Sequence, residues 1–113
     1  MVAPSFEVTV DWHNNHPVVH VRGELDFATA PTLYSALKDV IQLGATEVTL
    51  DFHQVTFLDS EGLKVILRVH RHLRNKMGAI TVCGASKFVA KTFEILGLDT
   101  EFGVTTEEHR DQT

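Results

Sequence analysis

Apolar residues recur along this chain with two different periods, and the order of those periods is the strongest constraint on its fold. From Phe6 to Trp12 apolar and polar side chains alternate, which is typical of a half-buried strand. The turn residues 13–17 and the run Val18–Arg22 then predict a second strand, paired with the first as a hairpin. Further on, apolar residues return every three to four positions, as they do along one side of a helix.

Helical and strand patterns alternate after the hairpin, which gives the order β-β-α-β-α-β-α. This order predicts a single α/β domain with a mixed β-sheet that opens with the N-terminal hairpin and has helices packed on it. Pro31 and Thr29 mark the start of the first helix, with Thr29 as the expected N-cap. The predicted elements are a helix at 31–44, a strand at 47–52, a helix at 61–75, a strand at 79–83, a helix at 86–97 and, left open, a short strand at 99–104.

The domain is predicted to occupy residues 1–104 of the 113 in the chain. Residues 105–113 contain no apolar side chain and are expected to form a disordered tail. The N-terminus lacks a basic segment followed by an apolar one, and no stretch approaches the roughly 20 apolar residues of a membrane span. We therefore expect a cytoplasmic protein that does not insert into a membrane.

The charge balance and the histidines narrow the possible ligands. A net charge of -5 and a pI of about 5.7 argue against a general nucleic-acid binder, which needs a basic face. Of the seven histidines, His13 and His16 flank a turn. His70 and His72 lie two apart on a helix and so point to different faces. We expect neither a metal site nor a cofactor.

The segment Phe57–Leu63 places Ser60 at the start of the second predicted helix. A helix N-terminus offers unpaired N–H groups and partial positive charge, so a phosphate is tolerated there. Taken alone, Asp59-Ser60 is more typical of a helix cap, which favours Ser60 as the N-cap. Ser60 lacks a Gly-x-Ser-x-Gly elbow and no histidine is placed to activate it, so a binding module is favoured over an enzyme.

Several separated segments combine with Ser60 into one pattern: Gly23–Asp26 with Thr29-Ala30, Val48–Phe52, Val55–Leu63 and Leu96–Leu98. This combination spans about residues 6–104 and resembles the anti-sigma factor antagonist family, the bacterial STAS domains. The resemblance implies that the chain binds an anti-sigma factor that is also a serine kinase, and so releases the sigma factor. It further implies that the kinase phosphorylates Ser60 to eject the antagonist, and that a PP2C-type phosphatase resets it.

The resemblance also implies a set of partner-binding residues around Ser60. Asp26 matches a family aspartate that lies near the phosphoserine, and Gly62 is expected to leave room for a partner's backbone. The chain departs from the family at Glu61, where Ser or Thr is usual, so a negative charge stands beside the serine. The residues expected to contact the partner are Asp26, Thr29, Leu58, Asp59, Ser60, Glu61, Gly62 and Leu63.

Two alternatives remain open at this point. The first keeps the fold and changes the partner: stand-alone STAS subunits also dock on the ATPase of membrane ABC lipid transporters. The second is an enzyme of unknown class. Co-purification separates the first from the leading hypothesis, and turnover that survives Ser60→Ala and Asp26→Ala would support the second.

Overall fold

A computed structural model describes residues 5–106, which form four strands and three helices. The predicted element order and the α/β class with its opening hairpin are confirmed. The elements are β1 (Phe6–His13), β2 (His16–Leu25), α1 (Ala30–Gln42), β3 (Glu47–Leu58), α2 (Ser60–Arg74), β4 (Ala79–Cys83) and α3 (Lys87–Ile95).

The sheet is mixed, with the strand order β1-β2-β3-β4. β1 and β2 are antiparallel, whereas β2 runs parallel to β3, and β3 parallel to β4. The two-residue turn Asn14-Asn15 joins the hairpin, and Asn14 has a positive φ of 61°, as such tight turns require. In the parallel register Leu25 stands beside Leu58, so β2 and β3 end at the same edge of the sheet.

Two strands run further than the sequence predicted. β2 continues past Arg22 to Leu25, and β3 continues past Phe52 to Leu58. The β2–β3 register shifts twice near this stretch. Gly23 has a φ of 106° and lies close to the backbone of Ser5. These irregularities interrupt the alternation of apolar and polar residues, so the boundaries predicted from that alternation were wrong.

The chain after α3 forms turns rather than the short strand left open at 99–104. Phe102 is buried and its carbonyl accepts the N–H of Val82 at 3.0 Å. The Thr105 N–H donates to Val82, and Thr106 bridges to Ala85. Thr105 and Thr106, the first two residues of the predicted tail, therefore make backbone contacts with the domain. The remainder of the predicted tail, residues 107–113, lies outside the described residues.

One apolar core fills the space between the sheet and the helices. The apolar stripes of α1 and α2 are buried there, apart from Ile41 and Leu67, which pack at its edge. His70 is also buried: its Nδ1 accepts the Ile80 N–H at 3.1 Å, so the proton sits on Nε2, which lies 2.8 Å from Glu101. The fully buried side chains include Val19, Leu33, Leu37, Leu50, Phe52, Ile66, Leu73, Val82, Val89 and Phe93.

The other face of the sheet is polar. Along β1, β2 and β3, the residues that alternate with the core positions are exposed or half-buried and mostly polar or charged. They include Thr9, Asp11, His20, Asp51 and His53. None of the helices within residues 5–106 has the length and apolar character needed to cross a bilayer.

Candidate functional site

The ends of β2 and β3 bring two loops together at one edge of the sheet. The β2–α1 loop begins at Asp26, and Asp59 links β3 to α2. The backbones are joined directly, because the Asp59 N–H donates to the Leu25 carbonyl at 3.2 Å. A second hydrogen bond runs from the Phe27 N–H to Asp59 Oδ2, also at 3.2 Å. The parallel strand register therefore assembles the two predicted motifs into one surface.

Asp59 is the N-cap of α2. Its Oδ1 accepts the backbone N–H groups of Glu61 at 2.9 Å and of Gly62 at 3.0 Å, which satisfies two of the unpaired donors at the helix start. Ser60 is the first helical residue. The interpretation of Ser60 as the cap was wrong, because the hydrogen bonds to Leu25 and Phe27 hold Asp59 one position earlier in that role.

Asp26 organises the β2–α1 loop in a similar way. Its Oδ1 accepts the N–H groups of Ala28 at 2.9 Å and Thr29 at 3.1 Å. Thr29 occupies the predicted N-cap position of α1, but its hydroxyl donates to the Glu24 carbonyl at 2.7 Å instead of capping the helix. Asp26 and Thr29 are thus both half-buried and occupied in holding the loop shape.

The side chain of Ser60 is exposed. No hydrogen bond to its hydroxyl is found among residues 5–106, and its neighbour Asp59 supplies the cap. The hydroxyl stands at the N-terminal end of the 15-residue helix α2, where the helix dipole favours negative charge. The residue is therefore chemically available and placed where an added anion is tolerated.

A shallow apolar groove opens on one side of Ser60. We call it the α3 groove; its volume is about 270 Å³. Two exposed apolar side chains at the end of α3 form its rim, Ile95 at 72% exposure and Leu96 at 55%. Close to α3, the rings of Phe57 and Phe88 stack with centroids 5.9 Å apart. The groove is lined by Leu58, Asp59, Ser60, Leu63, Thr92, Ile95 and Leu96.

Glu61 faces a different groove from Ser60, although the two residues are adjacent. It lines a cavity between α1 and α2 of about 330 Å³, together with Phe27, Tyr34, Val65 and Arg68 among others. Glu61 Oε2 accepts a hydrogen bond from Lys64 Nζ at 2.9 Å, so the negative charge is paired. The departure from the family pattern at position 61 therefore places no unpaired carboxylate in the groove that contains Ser60.

Three of the residues expected to contact a partner are buried instead. Gly62 packs against β2: a Cβ there would lie 2.7 Å from Leu25 Cγ and 2.8 Å from the Leu25 carbonyl oxygen. The structure shows that this glycine permits close packing of α2 on the sheet, while its expected role in giving a partner's backbone room stays a prediction. Leu58 and Leu63 belong to the core and present only the floor of the α3 groove.

Several exposed apolar residues at this edge were missed by the sequence analysis. Phe27 is 77% exposed in the loop between Asp26 and Ala28. An aromatic side chain in an otherwise polar loop is the signal that marks it. The third helix was predicted to run to 97, but α3 ends at Ile95 and Leu96 is its exposed C-cap residue.

A second cluster of titratable groups lies on the polar face of the sheet. His20 donates from Nδ1 to Asp51 at 2.7 Å and from Nε2 to Asp11 at 2.8 Å, which only the charged imidazolium can do. The hydrogen bond to Asp51 raises the pKa of His20, against burial, and Asp11 adds to the increase. The hydrogen bonds of His20 therefore link side chains of three neighbouring strands, β1, β2 and β3.

Asp51 is shared between His20 and His53, whose Nδ1 and backbone N–H both reach Asp51 Oδ1. Burial acts to raise the pKa of Asp51, but the hydrogen bonds from His53 and His20 outweigh it and lower the pKa. Across residues 5–106, no three His, Cys, Asp or Glu side chains are arranged to hold a metal ion. The arrangement of this cluster is that of a mutually paired charge network.

Comparison with known proteins gives the same family from sequence and from structure. Residues 7–112 match the STAS domain family. The anti-sigma-F factor antagonist RsfB of Mycobacterium tuberculosis is 30% identical over 110 residues, covering 96% of this chain and 89% of the relative. The anti-sigma-B factor antagonist of Listeria monocytogenes is 31% identical over 84 residues, or 74% of each chain. The crystal structure of an anti-sigma factor antagonist from Mycobacterium paratuberculosis superimposes with a TM-score of 0.81 at 30% identity, covering 93% of this chain and 90% of that one.

Proposed function

This chain belongs to the STAS domain family of anti-sigma factor antagonists, and from that premise we propose that it binds an anti-sigma factor with serine kinase activity and is switched off when Ser60 is phosphorylated. Binding releases the sigma factor, and a PP2C-type phosphatase returns the chain to its active form. The partner contacts the edge formed by the β2–α1 loop, the start of α2 and the end of α3. The chain is the substrate of the phosphorylation and catalyses no reaction of its own.

The main support for this proposal is that Asp59 has a structural role at the helix start, whereas Ser60 has none that the described residues show. Asp59 makes the hydrogen bonds that hold the helix start and the two loops. Ser60 is exposed and has no hydrogen bond within residues 5–106. A kinase can therefore modify the hydroxyl without breaking any bond that the fold needs.

The α3 groove explains how a phosphate on Ser60 would act on binding. Apart from Thr92 and the start of α2 the groove is apolar, and a partner's apolar side chain fits its leucine and isoleucine lining. A phosphate adds about 1.5–2 negative charges beside that contact. Against a partner carboxylate about 5 Å away, at an effective dielectric constant near 20, each unit of charge costs roughly 3 kcal/mol. This cost corresponds to a loss of affinity of about a hundredfold or more.

The proposal is tested by phosphorylation of the purified chain. Tagged full-length chain is expressed in its own host, and an anti-sigma factor is expected among the proteins that co-purify with it. The purified anti-sigma factor and ATP are then expected to add one phosphate to the wild type and none to Ser60→Ala, as read by intact mass. Ser35→Ala, which removes another exposed serine, serves as the control and is expected to accept the phosphate.

Two results would overturn the proposal. One is a phosphate that appears equally in Ser60→Ala, which would move the modification to another residue. The other is co-purification of the ATPase subunit of a lipid transporter in place of an anti-sigma factor, which would support the alternative partner.

A further inference from the structure

Two adjoining cavities form a groove between α1 and α2 that begins at Glu61, and we propose that this groove binds an acidic, amphipathic helix. The identity of the partner rests on the function proposed above, because we assign this helix to the same anti-sigma factor. The groove would then be a second contact, separate from the α3 groove, that fixes the orientation of the partner and speeds its association.

Two neighbouring cavities make up this α1–α2 groove. The one at the start of α2 contains Glu61 and Phe27, and the one further along is about 340 Å³ and ends at His72 and Gln42. Tyr34 and Arg68 line both cavities, so the two adjoin at this pair of side chains. From Glu61 to His72 the groove follows α2 for about 16 Å, the length of three helical turns. A short helix fits this length.

The centre of the groove holds two cations, Lys38 and Arg68, that lack a carboxylate partner within residues 5–106. Arg68 Cζ lies 5.0 Å from the centroid of the Tyr34 ring, and Lys38 Nζ lies 5.8 Å from it. The ring holds both cations in place by cation–π attraction. Neither forms an ion pair with a carboxylate among residues 5–106, whereas Lys64 and Lys91 each do. Two cations on one ring, with no ion pair in the described part of the chain, favour an anionic partner.

The walls of the groove indicate that this partner is also apolar on one side. Ile41, Val65 and Val69 line it between the charged side chains. A helix laid between α1 and α2 can place apolar residues against these walls and glutamates or aspartates opposite Lys38 and Arg68. A polyanion such as DNA, or an anionic membrane, fits less well, because the chain as a whole carries a net charge of -5 and repels extended negative surfaces.

The first test uses the anti-sigma factor that binds the chain. Arg68→Glu and Lys38→Glu are each expected to weaken binding about tenfold, mainly through slower association at low salt. Lys76→Glu makes the same change in net charge at an exposed residue outside both cavities, and it is expected to bind within twofold of wild type. Both groove residues are exposed, so circular dichroism is expected to show unchanged folding. Equal binding by Arg68→Glu and Lys76→Glu would overturn the proposal.

The second test does not depend on the identity of the partner. A synthetic 14-residue helical peptide with leucines on one side and glutamates flanking them is titrated into the isotopically labelled full chain. We expect chemical-shift changes centred on Tyr34, Val65 and Arg68, and none with a matched peptide in which lysine replaces glutamate. If the glutamate peptide leaves these resonances unchanged, or the lysine peptide binds equally well, the groove does not select acidic helices. If instead no anti-sigma factor binds the chain, the proposed function fails, while the peptide titration still decides the groove.

Discussion

Two polar regions of this molecule both contain hydrogen-bonded aspartates, but they differ in whether a polar side chain is left without a partner within residues 5–106. On the polar face of the sheet, His20 is held between Asp11 and Asp51, and the carboxylate of Asp51 also meets His53. At the start of α2, Asp59 is fully engaged with backbone N–H groups, yet Ser60 next to it has no partner within residues 5–106. The charge network is complete in itself and stabilises the sheet. At the start of α2 the hydrogen bonds of Asp59 hold the backbone in place. The Ser60 hydroxyl and the apolar walls of the α3 groove remain available to another molecule.

This contrast predicts that changes at the α2 edge act on binding, whereas changes on the sheet face act on stability. The largest effect is expected at Ile95, on the rim of the α3 groove. Ile95→Asp places a charge in the apolar contact and is expected to weaken anti-sigma factor binding about a hundredfold. Because the side chain is exposed, the free energy of unfolding is expected to stay within about 0.5 kcal/mol of wild type.

Titration calorimetry and urea unfolding check this prediction. Met77→Asp is the matched control, since Met77 is 91% exposed beyond the other end of α2 and is expected to bind as wild type does. Binding by Ile95→Asp within threefold of wild type would remove the α3 groove from the interface.

Gly62 lies close to the exposed Ser60, but it is buried and packs α2 against β2. Alanine is a better helix former by about 1 kcal/mol. Its Cβ would nevertheless meet the Leu25 carbonyl oxygen at 2.8 Å, and such overpacking costs about 1–3 kcal/mol. We expect the overpacking to outweigh the gain in helix propensity, so that Gly62→Ala lowers the free energy of unfolding by up to about 2 kcal/mol. Ser60→Ala, two residues away, is expected to change it by less than about 0.5 kcal/mol. Urea unfolding measures both, and a Gly62→Ala variant more stable than wild type would show that this contact is loose.

A smaller loss of stability is expected when the capping hydrogen bonds of Asp59 are removed. Asp59→Ala removes the cap of α2 and the link to Phe27, and we expect it to cost about 1 kcal/mol of stability. Asp59→Asn keeps an oxygen for the helix N–H groups and is expected to lose less than half as much. Thermal unfolding of the two variants gives the comparison. Equal losses would mean that the charge of Asp59, rather than its hydrogen bonds, stabilises the helix start.

The smallest expected effect is a pH dependence from the sheet face. Because the pKa of His20 is raised in the folded state, its contribution is complete below the ordinary imidazole value of 6.5 and is lost as the pH rises through the folded value. Asp51 acts in the opposite direction: its pKa is lowered, so its contribution is present above 3.8 and is lost as the pH falls through the folded value. The network is therefore strongest between about pH 4 and pH 6.5.

Urea unfolding at pH 6 and pH 9 measures this contribution. Since His20 is partly exposed, we expect the wild type to lose less than about 1 kcal/mol through this network between the two pH values. His20→Gln is expected to lack that part of the pH dependence, whereas His13→Gln, an exposed histidine of the same strand pair, is expected to keep it. An NMR titration that places the pKa of His20 below 6.5 would contradict the account of the network.

The element order could be predicted because hydrophobic periodicity indicates helices and strands. The motifs at Gly23–Asp26 and Val55–Leu63 could be predicted because their residue types are visible in the sequence. The alternation in β1 and the apolar stripe of α2 survive in the structure with boundaries moved by one residue. The ends of β2 and β3 could not be predicted, because the register shifts and the positive φ of Gly23 depend on how the two strands meet. Those strand ends place the loops at one edge of the sheet.

The details of the candidate site depend on contacts between distant parts of the chain. Asp59 and Ser60 are both common cap residues, and the hydrogen bond from Asp59 to Leu25, 34 positions earlier, decides between them. The pairing of Lys38 and Arg68 on the Tyr34 ring likewise requires α1 and α2 to lie side by side. Sequence periodicity reports which face of a helix is buried, but it does not report which exposed cations remain unpaired.

In the proposed function, Ser60 controls binding of the anti-sigma factor without supporting the fold. The direct test is the dissociation constant of the anti-sigma factor complex, measured by titration calorimetry with unmodified chain and with chain phosphorylated at Ser60. We expect phosphorylation to weaken binding by about a hundredfold or more, while the melting temperature of the free chain changes by less than about 2 °C. Equal affinity of the two forms, or unfolding of the phosphorylated chain, would contradict the claim.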